Sequence, residues 1–123
     1  MLEFKGKKAL IVEDDDDIRG LLEIVLSQMG FAVTSAGTGA AGLECARNER
    51  PELVTLDVGL PDMNGIEVLR AMRTFNEDKI VMLTSRGRQS EIAAGIDAGA
   101  TAYLLKPFKP RALREELAAI LEA

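Results

Sequence analysis

The sequence contains no histidine, no tryptophan and one cysteine, and its aromatic residues are four Phe and one Tyr. Without histidine, the chain cannot form a Ser-His-Asp triad, use a histidine general base or build most zinc sites. The lone Cys45 cannot form an internal disulfide, so we expect a reducing, cytoplasmic location. These absences exclude the commonest hydrolase and zinc-protein classes.

Long apolar runs are also missing. No run approaches the roughly 18 residues that a membrane-spanning helix needs, and we expect no membrane association and no signal peptide. The 123 residues are 47% hydrophobic, which is enough for a core. We therefore expect residues 1–123 to form one domain.

The negative charge is concentrated in one segment. The chain has 20 acidic and 15 basic residues, and the run from Glu13 to Asp17 contains five of the acids, so the remainder balances at 15 against 15. The acidic balance argues against direct binding of nucleic acid.

Five short apolar runs alternate with five helical patterns. The runs that predict strands are 9–12, 31–36, 53–56, 80–83 and 102–105. The patterns that predict helices are 16–29, 38–48, a segment after Gly65 whose apolar face extends to Phe75, 90–98, and a segment that begins at Pro110. Continuous apolar strands that alternate with helices predict an α/β fold with a parallel sheet covered on both faces.

Polar residues follow four of the five predicted strands. They are Glu13, Asp14, Asp57, Thr84, Ser85 and Lys106. The carboxyl ends of parallel strands meet at one edge of the sheet, where ligands bind in this class of fold, so we expect these side chains to lie close together.

Three clustered carboxylates require a cation, and oxygen ligands without His or Cys favour Mg²⁺. A carboxylate beside such an ion can attack phosphorus. Asp57 is the best candidate, because it ends a strand and has no helix to cap. By contrast, the acids at 15–17 are placed to cap the next helix and to favour its dipole. Lys106 would contribute a positive charge and Thr84 a hydroxyl donor.

Four segments resemble the receiver domain of bacterial two-component response regulators. They are Val-Glu-Asp-Asp at 12–15, Leu-Asp-Val-Gly-Leu-Pro-Asp-Met-Asn-Gly at 56–65, Leu-Thr-Ser at 83–85, and Tyr-Leu-Leu-Lys-Pro-Phe at 103–108. The resemblance covers essentially the whole chain, in order and with compatible spacings. It implies a flavodoxin-like, doubly wound sheet of five parallel strands in the order 2-1-3-4-5, with five helices.

The resemblance also implies a role for each site residue. Asp57 would accept a phosphoryl group from a sensor histidine kinase or a phosphotransfer protein, which supplies the histidine that this chain lacks. Mg²⁺ would be bound by Asp14, Asp57 and the carbonyl of Gly59, and by Glu13 through water. Lys106 would contact the phosphoryl group.

A conformational switch is implied as well. Thr84 and Tyr103 would pass the change to the face formed by helix four, strand five and helix five, and from there to an output domain or target protein. The domain would assist its own phosphoryl transfer and slow dephosphorylation without being an enzyme. The bond between Lys106 and Pro107 is expected to be cis.

Three positions depart from the commonest pattern of these domains. Gly59 replaces a larger side chain and leaves the site more exposed, and Arg86 adds a charge beside it. We expect both residues to influence how long the phosphoryl group persists. The segment 99–103 lacks an acidic pair seen in some dimeric receivers, so we expect a monomer or a weak dimer.

Two other functions are compatible with parts of the sequence. Residues 37–42 match the dinucleotide-binding pattern G-x-G-x-x-G, and Asp57 follows Gly37 by 20 residues. That pattern, however, follows the second strand rather than the first, and the acids after strand one would repel a pyrophosphate. The other alternative, a receiver that binds partners without phosphorylation, does not explain why the residues of the acidic site are all present.

Overall fold

The five predicted strands and five predicted helices are all present in the computed structural model, which describes residues 4–85 and 90–122. The strands are β1 (Lys8–Val12), β2 (Ala32–Ala36), β3 (Leu53–Asp57), β4 (Lys79–Ser85) and β5 (Ala102–Lys106). The helices are α1 (Asp16–Gln28), α2 (Gly39–Glu49), α3 (Gly65–Arg73), α4 (Ser90–Asp97) and α5 (Pro110–Glu122). Among the described residues, no helix is long and apolar enough to cross a membrane.

The strands form one parallel sheet in the order β2-β1-β3-β4-β5, which confirms the predicted flavodoxin-like arrangement. Residues of β1 alternate between its two faces: Ala9 and Ile11 pack with residues of α1 and α5, and Leu10 and Val12 pack with residues of α2 and α3. The central strand β3 is buried at all five positions. Burial on both faces explains why the strands are continuously apolar in sequence.

The acidic run is divided by the start of α1. Asp15 is the N-cap, and its side chain accepts hydrogen bonds from the backbone N–H groups of Asp17 and Ile18 at 2.9 and 3.0 Å. Asp16 forms an ion pair with Arg19 one turn later. The predicted capping role of the acids after position 14 is therefore confirmed for Asp15, and Asp16 and Asp17 lie in the first turn, where the helix dipole favours acids.

The prediction that Phe75 lies on the apolar face of the third helix was wrong. The helix ends at Arg73, and Phe75 lies beyond it with 39% of its surface exposed. The Arg73 side chain donates hydrogen bonds to the carbonyls of Asn76 and Asp78 at 3.1 and 2.6 Å, which holds the chain in a turn at this point. The apolar spacing that included Phe75 therefore continued past the end of the helix.

The glycine-rich segment 37–42 serves helix packing and capping. A methyl group on Gly42 would lie 2.8 Å from a methyl of Val12, so the glycine allows α2 to approach β1. The first N–H groups of α2, those of Gly39 and Ala40, donate to the carboxylate of Asp62 at 2.8 and 3.0 Å. The protein's own carboxylate thus occupies the helix end where a dinucleotide-binding domain holds a pyrophosphate, and β2 lies at the edge of the sheet.

A pair of glycine substitutions tests another close approach, that of the start of α3 to the end of β3. A methyl group on Gly65 would lie 2.2 Å from the carbonyl oxygen of Asp57 and 2.7 Å from the Cα of Val58, whereas one on Gly20, inside α1, would meet nothing within 4 Å. We expect Gly65→Ala to lower the free energy of unfolding by at least about 2 kcal/mol, because backbone cannot move aside. Gly20→Ala, the control, should raise it by about 0.5–1 kcal/mol. Urea unfolding measures both values, and a Gly65→Ala variant as stable as the wild type would contradict the packing.

Candidate functional site

Strand register brings three chemically active strand ends together at one edge of the sheet. Val12 pairs with Leu56, Asp57 pairs with Leu83, and Ser85 pairs with Lys106. One carboxylate oxygen from each of Glu13, Asp14 and Asp57 lies within 4.8 Å of the other two. We call these three residues the acid cluster; the sequence predicted that they would lie close together.

Lys106 lies against the acid cluster. Its Nζ is 2.7 Å from Oε1 of Glu13 and 3.1 Å from Oδ1 of Asp57. The exposed fractions of these side chains are 15% for Lys106, 0% for Glu13 and 8% for Asp57, whereas Asp14 is exposed. Lys106 therefore contacts the two buried carboxylates, and with Asp14 beside them the cluster has three carboxylates for one ammonium.

Burial sets the protonation of the two most buried partners. It raises the pKa of Glu13 to about 7; the hydrogen bonds from Lys106 and from the Asp15 N–H oppose this rise, and the charge of Asp57 adds to it. Burial also disfavours the charged form of Lys106, but the carboxylates of Glu13 and Asp57 outweigh this effect and raise its pKa. The lysine is therefore held as a cation, and Glu13 retains its proton to unusually high pH.

The donor set of the acid cluster suits a hard divalent cation. It offers carboxylate oxygens and no nitrogen or sulfur ligand, which is the chemistry that Mg²⁺ prefers. Gly59, in the loop after β3, is exposed, and its N–H donates to Oδ1 of Asp57 at 3.3 Å. The backbone of this loop thus lies beside the acid cluster, where a carbonyl could add a further oxygen ligand.

A groove of about 540 Å³ opens beside Lys106. Its walls are mainly apolar side chains of α1 and of the segment after β5, together with three polar residues. The lining residues are Asp17, Ile18, Leu21, Ser85, Lys106, Pro107 and Phe108. Since Lys106 lines the groove and also contacts Glu13 and Asp57, the groove and the acid cluster adjoin.

Thr84 and Tyr103 have other partners in this structure. Thr84 is 1% exposed, and its hydroxyl donates to the carbonyl of Ser85 at 3.4 Å. The hydroxyl of Tyr103 donates to the carbonyl of Glu91 on α4 at 3.3 Å. Burial raises the pKa of Tyr103, and the charge of Glu91 adds to this effect.

Two residues of α4 that hold Tyr103 were not singled out from the sequence. A methyl group on Gly95 would lie 1.4 Å from the Tyr103 hydroxyl, so the ring occupies space that only glycine leaves open. The carboxylate of Glu91 accepts a hydrogen bond from Asn64, in the loop after β3, at 3.2 Å. Glu91 therefore contacts both Tyr103 and the loop that begins at the acid cluster.

Two further predictions concern the peptide bond after Lys106 and the position of Arg86. The peptide bond between Lys106 and Pro107 is cis, as predicted. Arg86, predicted to flank the site, lies outside the described residues.

Comparison with known sequences identifies similar proteins over most of the chain. A sequence model described as the response regulator receiver domain matches residues 9–118. The transcriptional regulatory protein AfsQ1 of Streptomyces coelicolor is 39% identical over 112 residues, which are 91% of this chain and 50% of that protein. The DNA-binding response regulator MtrA of Mycolicibacterium smegmatis is 41% identical over 107 residues, 87% of this chain and 47% of that protein. The chain thus spans about half the length of these relatives.

Solved structures agree with the sequence comparison. A CheY-like response regulator receiver domain protein from Methanospirillum hungatei superposes with a TM-score of 0.86 at 35% identity, covering 94% of each chain. The receiver domain of DrrB, in a BeF3-activated form, superposes with a TM-score of 0.83 at 33% identity, covering 95% of this chain and 98% of that one.

Proposed function

The chain belongs to the response regulator receiver family, the phosphoacceptor domains of two-component signalling, and we propose that Asp57 is the residue that accepts the phosphoryl group. We further propose that residues 1–123 make up one such domain. The observation that carries the assignment is the position of Asp57: its carboxylate ends the central strand, lies in the acid cluster and is 3.1 Å from Lys106.

In the proposed reaction, a carboxylate oxygen of Asp57 attacks the phosphorus of the donor. The new bond joins Asp57 to phosphorus, and the bond between phosphorus and the donor's leaving atom breaks, so that the electron pair departs with the leaving group. Lys106, positively charged because of its two carboxylate neighbours, balances negative charge on the phosphoryl oxygens.

A bound Mg²⁺ would neutralise the acid cluster and the incoming phosphoryl oxygens. Asp14, Asp57 and the carbonyl of Gly59 would bind it directly, and Glu13 would do so through water. The buried Glu13 supports this assignment, because burial raises its pKa and a bound cation would favour its ionised form. The chain then assists its own phosphoryl transfer and its slow dephosphorylation but does not turn over a substrate as an enzyme.

The donor would be a sensor histidine kinase or a phosphotransfer protein. The apolar groove beside Lys106 supports this partner, because a protein docked there would bring its histidine next to Asp57. AfsQ1 and MtrA are named as transcriptional and DNA-binding regulators, and this chain spans about half of each. We therefore propose that it signals to an output domain or target protein. We further propose that the domain itself binds neither nucleic acid nor membrane and acts in the cytoplasm as a monomer or weak dimer.

Acetyl phosphate, a small phosphodonor, tests the proposed acceptor. After incubation with acetyl phosphate and Mg²⁺, intact-mass measurement should show one phosphoryl adduct on the wild type, and Asp57→Asn should remove it. Asp16→Asn is the matched control, because Asp16 lies in the first turn of α1 outside the acid cluster, and it should keep the adduct. A wild type without adduct, or an Asp57→Asn variant with an undiminished one, would contradict the proposal.

Phosphorylation would reposition Thr84 and Tyr103 and thereby alter the surface formed by α4, β5 and α5. The contact between Tyr103 and Gly95 supports this step, since the Tyr103 side chain of β5 packs against α4 at Gly95 and donates a hydrogen bond to a carbonyl of that helix. The bond from Asn64 to Glu91 adds a second connection, from the loop after β3 to α4.

Gly95→Ala tests this switch, because the added methyl group would occupy the space of the Tyr103 hydroxyl and force the ring away from Gly95. With beryllofluoride and Mg²⁺, wild-type amide NMR signals should shift around Asp57 and also in α4 and β5. In Gly95→Ala we expect the shifts around Asp57 to persist and those in α4 and β5 to be lost. Gly20→Ala should behave as the wild type. Wild-type shifts confined to the acid cluster, or unchanged α4 and β5 shifts in Gly95→Ala, would refute the switch.

A further inference from the structure

The loop between β3 and α3 carries Gly59, whose carbonyl is assigned to the cation, and Gly59 itself has no side chain that could hold it in place. The base of the loop is fixed: the Val58 N–H donates to the carbonyl of Leu83 at 3.0 Å, and Gly59 forms a bridge with Asn64. Glycine samples more backbone conformations than any other residue. The direction of the Gly59 carbonyl therefore depends on what holds the remainder of the loop.

Asp62 attaches this loop to another element. Its Oδ1 accepts from the N–H of Gly39 at 2.8 Å and its Oδ2 from the N–H of Ala40 at 3.0 Å, so both oxygens bind the first turn of α2. These hydrogen bonds keep the pKa of Asp62 below its usual value. The carboxylate is consequently charged at neutral pH, and the α2 dipole favours it there.

The start of α2 packs closely against α3 and against the loop that carries Asp62. A methyl group on Gly39 would lie 2.9 Å from Val68 of α3 and 3.0 Å from the sulfur of Met63, which follows Asp62 in the loop. The loop thus rests directly on the start of α2, which packs against the sheet through Gly42 and Val12. Asp62 therefore connects the loop to a helix that is packed against the sheet.

We propose that Asp62 is a positioning residue for the cation site: by binding the first turn of α2, it holds the loop so that Gly59 stays beside the acid cluster, where its carbonyl would bind the cation. This inference rests on the proposed function, because it requires that the acid cluster and Gly59 bind Mg²⁺. Asp62 itself does not touch the cation. It acts through the backbone of the loop, as outer residues do when they orient the ligands of a metal.

A pair of variants separates positioning from helix stability. Asp62→Ala removes both loop-to-helix hydrogen bonds, and Thr38→Ala removes the other side-chain cap of α2, the bond from the Ala41 N–H to the Thr38 hydroxyl at 3.1 Å, without touching the loop. We expect Asp62→Ala to weaken Mg²⁺ binding about tenfold and Thr38→Ala to leave it unchanged. Isothermal calorimetry with MgCl₂ gives both affinities, and urea unfolding in EDTA confirms that both variants are folded.

The same variants give a kinetic readout with acetyl phosphate. In Asp62→Ala, the Mg²⁺ concentration for half-maximal phosphorylation should rise, while the rate at saturating Mg²⁺ stays near that of the wild type. Asp62→Asn, which keeps one carbonyl acceptor, should restore part of the affinity. Equal loss of affinity in Asp62→Ala and Thr38→Ala, or no loss in either, would overturn the inference. A wild type that binds no Mg²⁺ would instead refute the proposed function on which it rests.

Discussion

The crowding of the Glu13, Asp14 and Asp57 carboxylates at one edge of the sheet, beside Lys106, sets the charge of the site. Two of the three carboxylates are buried, and Lys106 contacts both of these within 3.1 Å. Once Glu13 is ionised, three carboxylates face the charge of one ammonium, so the arrangement favours a further cation. The local concentration of acids that makes this chain negative is therefore a property of one sheet edge rather than of the whole surface.

The fold supplies this crowding through strand register. Parallel pairing aligns the ends of β1, β3 and β5 at one edge, and their buried residues keep the sheet from shifting. Asp15 caps the first turn of α1, whereas Glu13 faces Lys106 with one carboxylate oxygen and accepts from the Asp15 N–H with the other. Tyr103 contacts Glu91 and Gly95 of α4, and Asn64 in the loop after β3 binds the Glu91 carboxylate, so this loop connects the edge that carries the acid cluster with α4.

The sequence predicted the parts of the structure that follow from periodicity and from strand ends. Continuous apolar runs identify strands buried on both faces, and acids directly after them must meet in a parallel sheet. It did not predict contacts from a side chain to a distant backbone atom. Asp62 binds N–H groups that precede it by 23 and 22 residues, and Tyr103 binds a carbonyl 12 residues away. Every residue offers a backbone carbonyl and every residue except proline a backbone N–H, so only the folded geometry selects the partner.

The charge balance of the acid cluster is tested most directly by measuring the unfolding free energy as a function of pH, with EDTA or with Mg²⁺. The chain has no histidine, and folding raises the pKa of Glu13 from 4.5 to about 7, so the folded state binds the extra proton. In EDTA, stability should therefore fall by about 1–3 kcal/mol as the pH rises from about 5.5 to about 7.5, and saturating Mg²⁺ should abolish this fall. If the protein were equally stable with MgCl₂ and with NaCl of the same ionic strength, this would contradict the claim that the crowded carboxylates favour a further cation.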